Sequence, residues 1–403
     1  MNILIVDDEP INVLLLESLL KSKYETITAE NGLEAYNKIV EAPPDIVLLD
    51  ILMPYMDGFE TLEKIKTNKN LANIIVIMIT AKVEKDDVKK AMLLGADDYI
   101  KKPIDATELY TKIDIHARLK KSQDQILEYQ VYANIHESMI SAQRIQQSLL
   151  PDKQNFSRIF PNSFILFKPR DMIGGDLYFV SQKLNKKFLS VCDSTGHGVP
   201  AAMISILVYM ELSWIVNKSN ITEPIQVANN LKAELINHLG QSTDTYASSN
   251  GLDAILSEFD EQTHILKFVG AGRPLIVVRK GQNYIEINGH KVNSLMNKND
   301  YYLFYIRGDF VTLDLESAPG TLNNQDIQLL KDDTVYFFSD GITDQFGGAE
   351  EKKFSKKKLM ELIIECQGKS LKSQKLILYK ELDRWTQNHE QTDDIVVIGI
   401  QYY

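Results

Sequence analysis

Two sets of aspartates in this sequence are placed as if to meet in space. In the first third of the chain, Asp7 and Asp8 follow the apolar run Ile3–Val6, and Asp50 closes Asp45-Ile-Val-Leu-Leu-Asp50. Thr80 closes the run that starts at Ile74, and Lys102 precedes Pro103 after a short strand around Tyr99. Carboxylates gathered this way repel one another by about 4 kcal/mol per close pair at an effective dielectric near 20. A divalent cation removes that penalty, and hard oxygen ligands suit magnesium. In the rest of the chain, Asp176 lies in Gly174-Gly-Asp and Asp193 in Cys-Asp-Ser-Thr-Gly-His-Gly-Val-Pro. Asp340 lies in Phe-Phe-Ser-Asp-Gly, and Asp393-Asp394 in Gln-Thr-Asp-Asp-Ile-Val-Val-Ile. Each adjoins an apolar strand and small residues that permit close backbone approach. Any one alone reads as a turn carboxylate. Together they would form an oxygen-rich cage for two hard or borderline cations.

The elements that must position these groups follow two different patterns. Over residues 1–120, continuous Val/Ile/Leu runs alternate with amphipathic helices, which predicts a doubly wound α/β domain with a parallel sheet covered on both faces. Functional residues in such sheets gather at the carboxyl ends of the strands, where the first set of aspartates falls. Over residues 152–403, strands are expected at 163–168, 176–182, 187–192, 252–259, 263–269, 274–279, 333–338 and 394–401, with helices at 198–217, 223–239, 355–366 and 370–387. That order predicts an α+β domain, a β-sandwich flanked by helices. Residues 288–332 have weak periodicity and read as an insertion or loop-rich edge.

Between the two lies a stretch, 121–151, that continues the last helix of the first domain. From Asp105 to Pro151 there is no glycine or proline, and Leu109, Ile113, His116, Leu119, Ile126, Tyr129, Ala133, His136 and Met139 recur at helical spacing. The pattern predicts one long amphipathic helix, or two in line, with Asp105 as N-cap and Glu108 at the capping-box position. Gln123, Gln130, Asn134 and Gln143 interrupt the seam, so a dimeric coiled coil here would be marginal and switchable.

Composition narrows the function classes. With 403 residues and 44% hydrophobic content the chain can bury more than one core. A formal net charge of −11 argues against generic binding to nucleic acid or to anionic membrane. Two cysteines, Cys192 and Cys366, are too few for a disulfide framework and fit a reducing cytoplasmic setting. The start Met-Asn-Ile-Leu-Ile-Val-Asp-Asp does not read as a signal peptide, and the apolar run 201–216 reads as a buried core helix.

The order, spacing and strand context of Asp7, Asp8, Asp50, Thr80, Tyr99 and Lys102 resemble the receiver domain of two-component response regulators, a (βα)5 fold. That resemblance implies that a sensor histidine kinase supplies a phosphoryl group to Asp50. Asp8, Asp50 and the Leu52 carbonyl would bind one Mg2+, with Asp7 nearby. Lys102 would pair with the phosphate, and Thr80 and Tyr99 would reorient. The second set resembles the metal-dependent serine/threonine phosphatase (PPM) family, in its bacterial sporulation-and-stress branch. The match rests on Lys168-Pro-Arg-Asp-Met-Ile-Gly-Gly-Asp176, Asp193 to Ala202, Phe338-Ser-Asp-Gly-Ile-Thr-Asp-Gln-Phe-Gly-Gly348 and Thr392 to Ile398. The run Ala142-Gln-Arg-Ile-Gln-Gln-Ser-Leu-Leu-Pro151 matches one that commonly precedes this phosphatase domain.

This second resemblance implies two Mg2+ or Mn2+, with Asp193 bridging them, the Ser194 carbonyl helping to hold the first, and Asp176, Asp340 and Asp393 completing the second. Asp394 would only support the cage. The implied substrate is a phosphorylated anti-sigma-factor antagonist. His197 competes as general acid or shapes its turn, and Arg170 and Arg273 are candidate phosphate contacts. Arg273 replaces the family's usual histidine in Gly270-Ala-Gly-Arg-Pro274, which leaves substrate contacts there open. Cys192 is expected to face the core, and Lys352–Lys358 to be a solvated helix start. The combined expectation is a multidomain response regulator whose output is protein dephosphorylation, paired as a homodimer through the linker. A catalytically silent phosphatase fold that sequesters its partner is the alternative. A DNA-binding regulator is disfavoured by the charge and by the missing helix-turn-helix pattern.

Overall fold

The computed structural model describes residues 1–81, 85–194, 196–239, 251–313, 322–387 and 389–403. The chain divides into two compact units, Met1–Ala133 and Asn134–Tyr403.

The first unit alternates strand and helix: β1 (Asn2–Val6), α1 (Pro10–Leu20), β2 (Glu25–Ala29), α2 (Gly32–Glu41), β3 (Ile46–Asp50), α3 (Gly58–Thr67), β4 (Ile75–Thr80), α4 (Lys85–Leu93), β5 (Asp98–Lys101) and the start of α5 (Ala106–Leu149). The sheet order is β2-β1-β3-β4-β5, and all pairings are parallel. Strand residues divide by parity. Ile3, Ile5, Ile46, Leu48, Ile77 and Ile79 pack with Leu16, Leu20, Leu109 and Ile113 of α1 and α5. Leu4, Val6, Val47, Leu49, Val76 and Met78 pack with Ala35, Ile39, Leu62 and Ile65 of α2 and α3. Both faces are therefore dry, which is why the strands read as continuous apolar runs rather than alternating ones. The strand order reverses direction at β1, so a crevice opens between the carboxyl ends of β1 and β3.

α5 is a single helix that begins in the first unit and ends in the second. Asp105 caps it by accepting from the Glu108 amide at 2.9 Å. The Glu108 carboxylate lies 3.5 Å from Lys112 Nζ. Ile126, Tyr129, Tyr132 and Ile135 are exposed on it.

The second unit opens with α6 (Lys153–Ile159), β6 (Ser163–Lys168), β7 (Leu177–Lys183) and β8 (Lys186–Ser194). α7 (Val199–Leu212) then runs through a π-helical turn, Ser213–Lys218, to α8 (Pro224–Leu239). The middle holds β9 (Leu252–Asp260), β10 (Ile265–Ala271), β11 (Leu275–Lys280), β12 (Tyr284–Ile287), β13 (His290–Asn293), β14 (Met296–Lys298), β15 (Tyr301–Ile306) and β16 (Gln325–Gln328). The end holds β17 (Thr334–Phe338), α9 (Gly341–Asp344), the hairpin of β18 (Phe346–Gly347) and β19 (Lys352–Lys353), α10 (Lys356–Glu365), α11 (Leu371–Thr386) and β20 (Ile395–Gln401).

These strands make a seven-stranded sheet, β13-β12-β16-β10-β9-β8-β7, facing a six-stranded one, β14-β15-β11-β17-β20-β6. Period-two alternation builds the layers. Tyr178, Val180, Leu189, Val191, Leu275, Val277, Phe337 and Ile398 fill the space between the sheets. Leu177, Phe179, Leu256 and Val269 turn outward to Val208, Leu212, Val227 and Leu231 of α7 and α8. Ile276, Val278, Tyr336 and Val397 turn outward to Leu359, Ile363, Leu378 and Leu382 of α10 and α11. The result is a helix-flanked β-sandwich.

Two expectations need correction. Residues 288–332 are not merely a loop-rich edge: β15 pairs along its full length with β11, and β16 joins β10 to β12. The run 201–216 is buried on one face only. Ala201, Ser205, Val208 and Leu212 are buried, whereas Met203, Met210 and Trp214 are exposed. Val199–Lys218 is long and apolar enough, by composition, to cross a membrane.

Candidate functional site

In the first unit the crevice is lined by Asp8, Asp50, Leu52, Thr80 and Lys102, together with Phe59 and Asp87. Asp7 and Asp50 are buried, Asp8 is exposed, and one oxygen from each lies within 4.8 Å of the others. The Lys102 ammonium sits 2.9 Å from Asp7 Oδ2 and 2.9 Å from Asp50 Oδ1. Burial pushes the Asp50 carboxyl upward, with Asp7 adding to the rise and Lys102 opposing it. The same pairing holds the Lys102 ammonium above its ordinary value, against the cost of its burial. Tyr99 does not line this crevice. Its ring lies under Lys112 Nζ, 4.6 Å from the centroid.

In the second unit, antiparallel pairing brings the aspartates to one edge of the sandwich. Asp176 immediately precedes β7, and Asp193, near the end of β8, pairs directly with Asp253 of β9. On the facing sheet, Asp340 follows β17 and Asp393-Asp394 precede β20, its antiparallel neighbour. Asp176 is fully buried, and burial with the charge of Asp193 drives its carboxyl well upward. Asp193 is likewise shifted upward by burial and by Asp340, Asp393 and Asp253, which together outweigh Arg273.

Arg273 is the centre of this cluster. Its NH2 lies 2.5 Å from Asp193 Oδ2 and 3.1 Å from Asp253 Oδ2, and its NH1 lies 2.7 Å from Asp340 Oδ2. Three of the aspartates, Asp193, Asp253 and Asp340, therefore close on a guanidinium rather than on a common point. Among the described residues, Asp7-Asp8-Asp50 converge closely enough to share an ion, and so do Glu211, Glu234 and His238. The donor set of the cleft nonetheless fits hard cations. Asp176 Oδ2 and Asp253 Oδ1 are buried without a hydrogen-bond partner, and such atoms are costly unless something charged meets them.

The loop carrying Asp176 is braced from two sides. The Asp394 carboxylate accepts from the backbone N–H groups of Gly175 at 2.5 Å, Asp176 at 3.3 Å and Arg170 at 2.7 Å. A Cβ at Gly174 would stand 2.5 Å from Asp394 Oδ2, so that contact requires glycine. From the other side, buried Gln146 near the end of α5 donates to the Gly174 carbonyl at 2.6 Å and accepts from the Gly174 amide at 3.2 Å. Its Nε2 also donates to Ser205 Oγ of α7 at 2.9 Å.

The remaining candidates have other partners. His197 is exposed and its Nδ1 lies 3.7 Å from Asp171 Oδ2. The Arg170 guanidinium donates to the Thr392 carbonyl at 3.2 Å. Cys192 is buried beside Ser190 Oγ. The lysine run is partly ion-paired, Lys353 with Asp344 and Lys358 with Glu381. Sequence reasoning passed over Asp253 and Gln146. Asp253 carried the same signal as the other aspartates, a small residue, Gly251, before an apolar strand. Gln146 carried none beyond its place in the run before Pro151.

Both units find matches among known proteins. The model of the response regulator receiver domain matches residues 3–114, and that of stage II sporulation protein E (SpoIIE) matches residues 185–403. The chain belongs to the SpoIIE family, and it carries a receiver domain ahead of that family's PPM-type phosphatase domain.

The SiaA-PP2C domain of Pseudomonas aeruginosa shares the fold, with a TM-score of 0.57 at 23% identity over 68% of this chain and 99% of that one. A probable cyclic di-GMP phosphodiesterase of Vibrio cholerae is 37% identical over 130 residues, 32% of this chain and 30% of that protein. The phosphate regulon transcriptional regulatory protein PhoB of Pseudomonas aeruginosa is 40% identical over 112 residues, 28% of this chain and 49% of that protein. The chain thus spans half or less of the length of these curated relatives.

Proposed function

We propose that this protein is a response regulator whose output is metal-dependent dephosphorylation of phosphoserine or phosphothreonine on a partner protein. The observation that carries the reading is the cleft that gathers Asp176, Asp193, Asp253, Asp340 and Asp393 along one edge of the sandwich, two of them with buried oxygens lacking a hydrogen-bond partner. Asp176, Asp193, Asp340, Asp393 and the Ser194 carbonyl would hold two Mg2+ or Mn2+. Bound there, such ions supply a water of lowered pKa and neutralise charge on phosphoryl oxygens. The chain's own groups do the positioning. Asp394 fixes the Gly174–Asp176 loop through backbone N–H groups, and the neighbouring strands set Asp193 against Asp253. The partner would be an anti-sigma-factor antagonist, and the setting cytoplasmic.

Control would enter at Asp50, phosphorylated by a histidine kinase with one Mg2+ on Asp8, Asp50 and the Leu52 carbonyl. Lys102 and Thr80 line the same crevice and would take up the new charge. The route out is α5, whose Gln146 grips the loop of Asp176. The exposed residues Ile126 and Tyr129, at i and i+3 on one face of α5, begin an apolar seam for pairing with a second copy. Light scattering of the full chain tests this, with a monomer at all concentrations counting against it.

Hydrolysis of a phosphoserine protein, with Mn2+ and with or without an acyl-phosphate donor, tests the whole. Activity should collapse in Asp193→Ala and lose its response to the donor in Asp50→Ala. Activity surviving Asp193→Ala rejects the site, and a response surviving Asp50→Ala rejects the coupling. A second reading, a phosphatase fold that only binds its partner, is favoured by the guanidinium lying among the aspartates. Calorimetric titration with Mn2+ of the chain carrying Asp8→Ala, which removes the receiver's own ion site, separates the two, since a silent fold would then take up no metal.

A further inference from the structure

Arg273 lies where the proposed cations would have to go. Its guanidinium spans three carboxylates, Asp193, Asp253 and Asp340, that belong to both sheets of the sandwich. The side chain is largely buried, while its backbone is held in a tight corner. The Gly272 amide donates to the Asp309 carbonyl at 3.0 Å, and the Asp309 amide donates to the Gly270 carbonyl at 2.8 Å. A Cβ at Gly270 or Gly308 would stand 2.2 or 2.3 Å from the Arg273 carbonyl oxygen. The backbone cannot retreat, so only the side chain can move.

Asp253 has a distinct place in this arrangement. Gly272, at φ +69°, passes so close that a Cβ there would stand 2.4 Å from Asp253 Oδ1. Asp253 thus sits under the corner that carries Arg273, on the β9 side of Asp193. Directly opposed like charges on neighbouring strands are destabilising, and Asp193 and Asp253 are such a pair. The guanidinium bridges them through one nitrogen, NH2.

We propose that Arg273 is a resident counter-cation that competes with divalent metal for Asp193 and Asp340, and that Asp253 is the carboxylate that keeps the guanidinium when metal takes the other two. The arrangement lets the acidic cleft fold without metal and sets a threshold for metal loading. It rests on the phosphatase reading and adds to it a lock built from this chain's own residues. A metal must displace two ion pairs, so the lock weakens metal affinity. Without Asp253 the displaced guanidinium loses its alternative partner and competes harder.

The test is calorimetric titration with Mn2+ of the full chain carrying Asp8→Ala, so that the receiver's ion site is silent, alongside thermal melts in chelator. Arg273→Gln should bind Mn2+ at least tenfold more tightly than the parent and melt lower in chelator. Asp253→Asn should bind several-fold more weakly, and that loss should vanish in the double variant, because Asp253 acts through Arg273. Equal or weaker Mn2+ binding by Arg273→Gln overturns the lock. A loss from Asp253→Asn that persists without Arg273 overturns the role given to Asp253, making it a direct ligand. If Arg273→Gln fails to fold, Arg273→Lys decides: its point charge cannot span three carboxylates, so its affinity should rise too, and unchanged affinity overturns the lock. Failure of the phosphatase reading looks different: the second unit would then take up no Mn2+ in the parent or in any of these variants.

Discussion

Replacing Gln146 with alanine should destabilise the phosphatase domain by about 2–4 kcal/mol. The side chain is buried and makes three hydrogen bonds, two of them to the backbone of Gly174. Truncation leaves the Gly174 amide without that partner and the carbonyl with a long contact from Ser205 Oγ at 3.4 Å. A buried group left unsatisfied costs about 1–3 kcal/mol, and a water admitted to the vacated space recovers part of it. At about 2–4 °C per kcal/mol for a domain near this size, the melting temperature should fall by roughly 4–16 °C. Differential scanning calorimetry of the full chain, with the receiver transition as internal reference, measures it. Gln146→Glu sharpens the test, because its oxygens can accept from the Gly174 amide but cannot donate to the carbonyl. It should be destabilised about as much as the alanine variant. A shift below about 1 °C for the alanine variant refutes the claim that α5 holds the Asp176 loop. A glutamate variant with parental stability refutes the importance of the bond to the carbonyl.

Other outcomes follow from the same structure. Asp333→Ala should cost about 3–5 kcal/mol by denaturant melt, since it strands buried Arg279, whose Nε and NH2 lie 2.9 and 2.6 Å from that carboxylate. Mn2+ affinity should not change, because Asp333 lies at the opposite end of β17 from Asp340. Gly174→Ala should destabilise by about 1–3 kcal/mol and weaken Mn2+ binding, because the new methyl group displaces Asp394. Calorimetry reads both effects. Neither cysteine should react with an aromatic disulfide at pH 7.5 until denaturant is added. Burial pushes the Cys192 thiol up to about 12 and the Cys366 thiol up to about 11.

Where the sequence was legible, one residue's surroundings could be inferred from its immediate neighbours. Ile46–Leu49 is apolar without a break because both faces of β3 are covered, and Asp50 stands at its end because that end opens on the crevice. Asp176, Asp193, Asp340 and Asp393 announced themselves by the same local rule, a carboxylate between a strand and small residues. The rule fails where polarity is set by a distant partner. β13 is wholly exposed and three of the four residues of β16 are polar, so neither has an apolar face to betray it. β15, Tyr-Tyr-Leu-Phe-Tyr-Ile, carried a strand signal that its asparagine- and lysine-rich flanks obscured. The tertiary role of Arg273 is also nonlocal. It depends on Asp193, 80 residues away in sequence, and on Asp340 of the other sheet.

That nonlocality bears on how such a cleft can exist at all. Clustered carboxylates raise the energy of the folded state, and Asp176 and Asp193 both show it in their upward shifts. A fold that depended on metal to relieve this would be stable only when loaded. Here relief comes from one cation on the chain and from backbone amides aimed at Asp394. On the proposed reading the domain would fold first and take up metal second. That order would matter for the proposed regulation, because a step that follows folding can be controlled. The two groups that set it, Arg273 at the aspartates and Gln146 at the Asp176 loop, act on different sides of the same cleft. Each can be altered without touching the other, so a variant of one should leave the effect of the other additive within about 0.5 kcal/mol. Coupling well beyond that would mean that the linker helix and the arginine lock are one device rather than two.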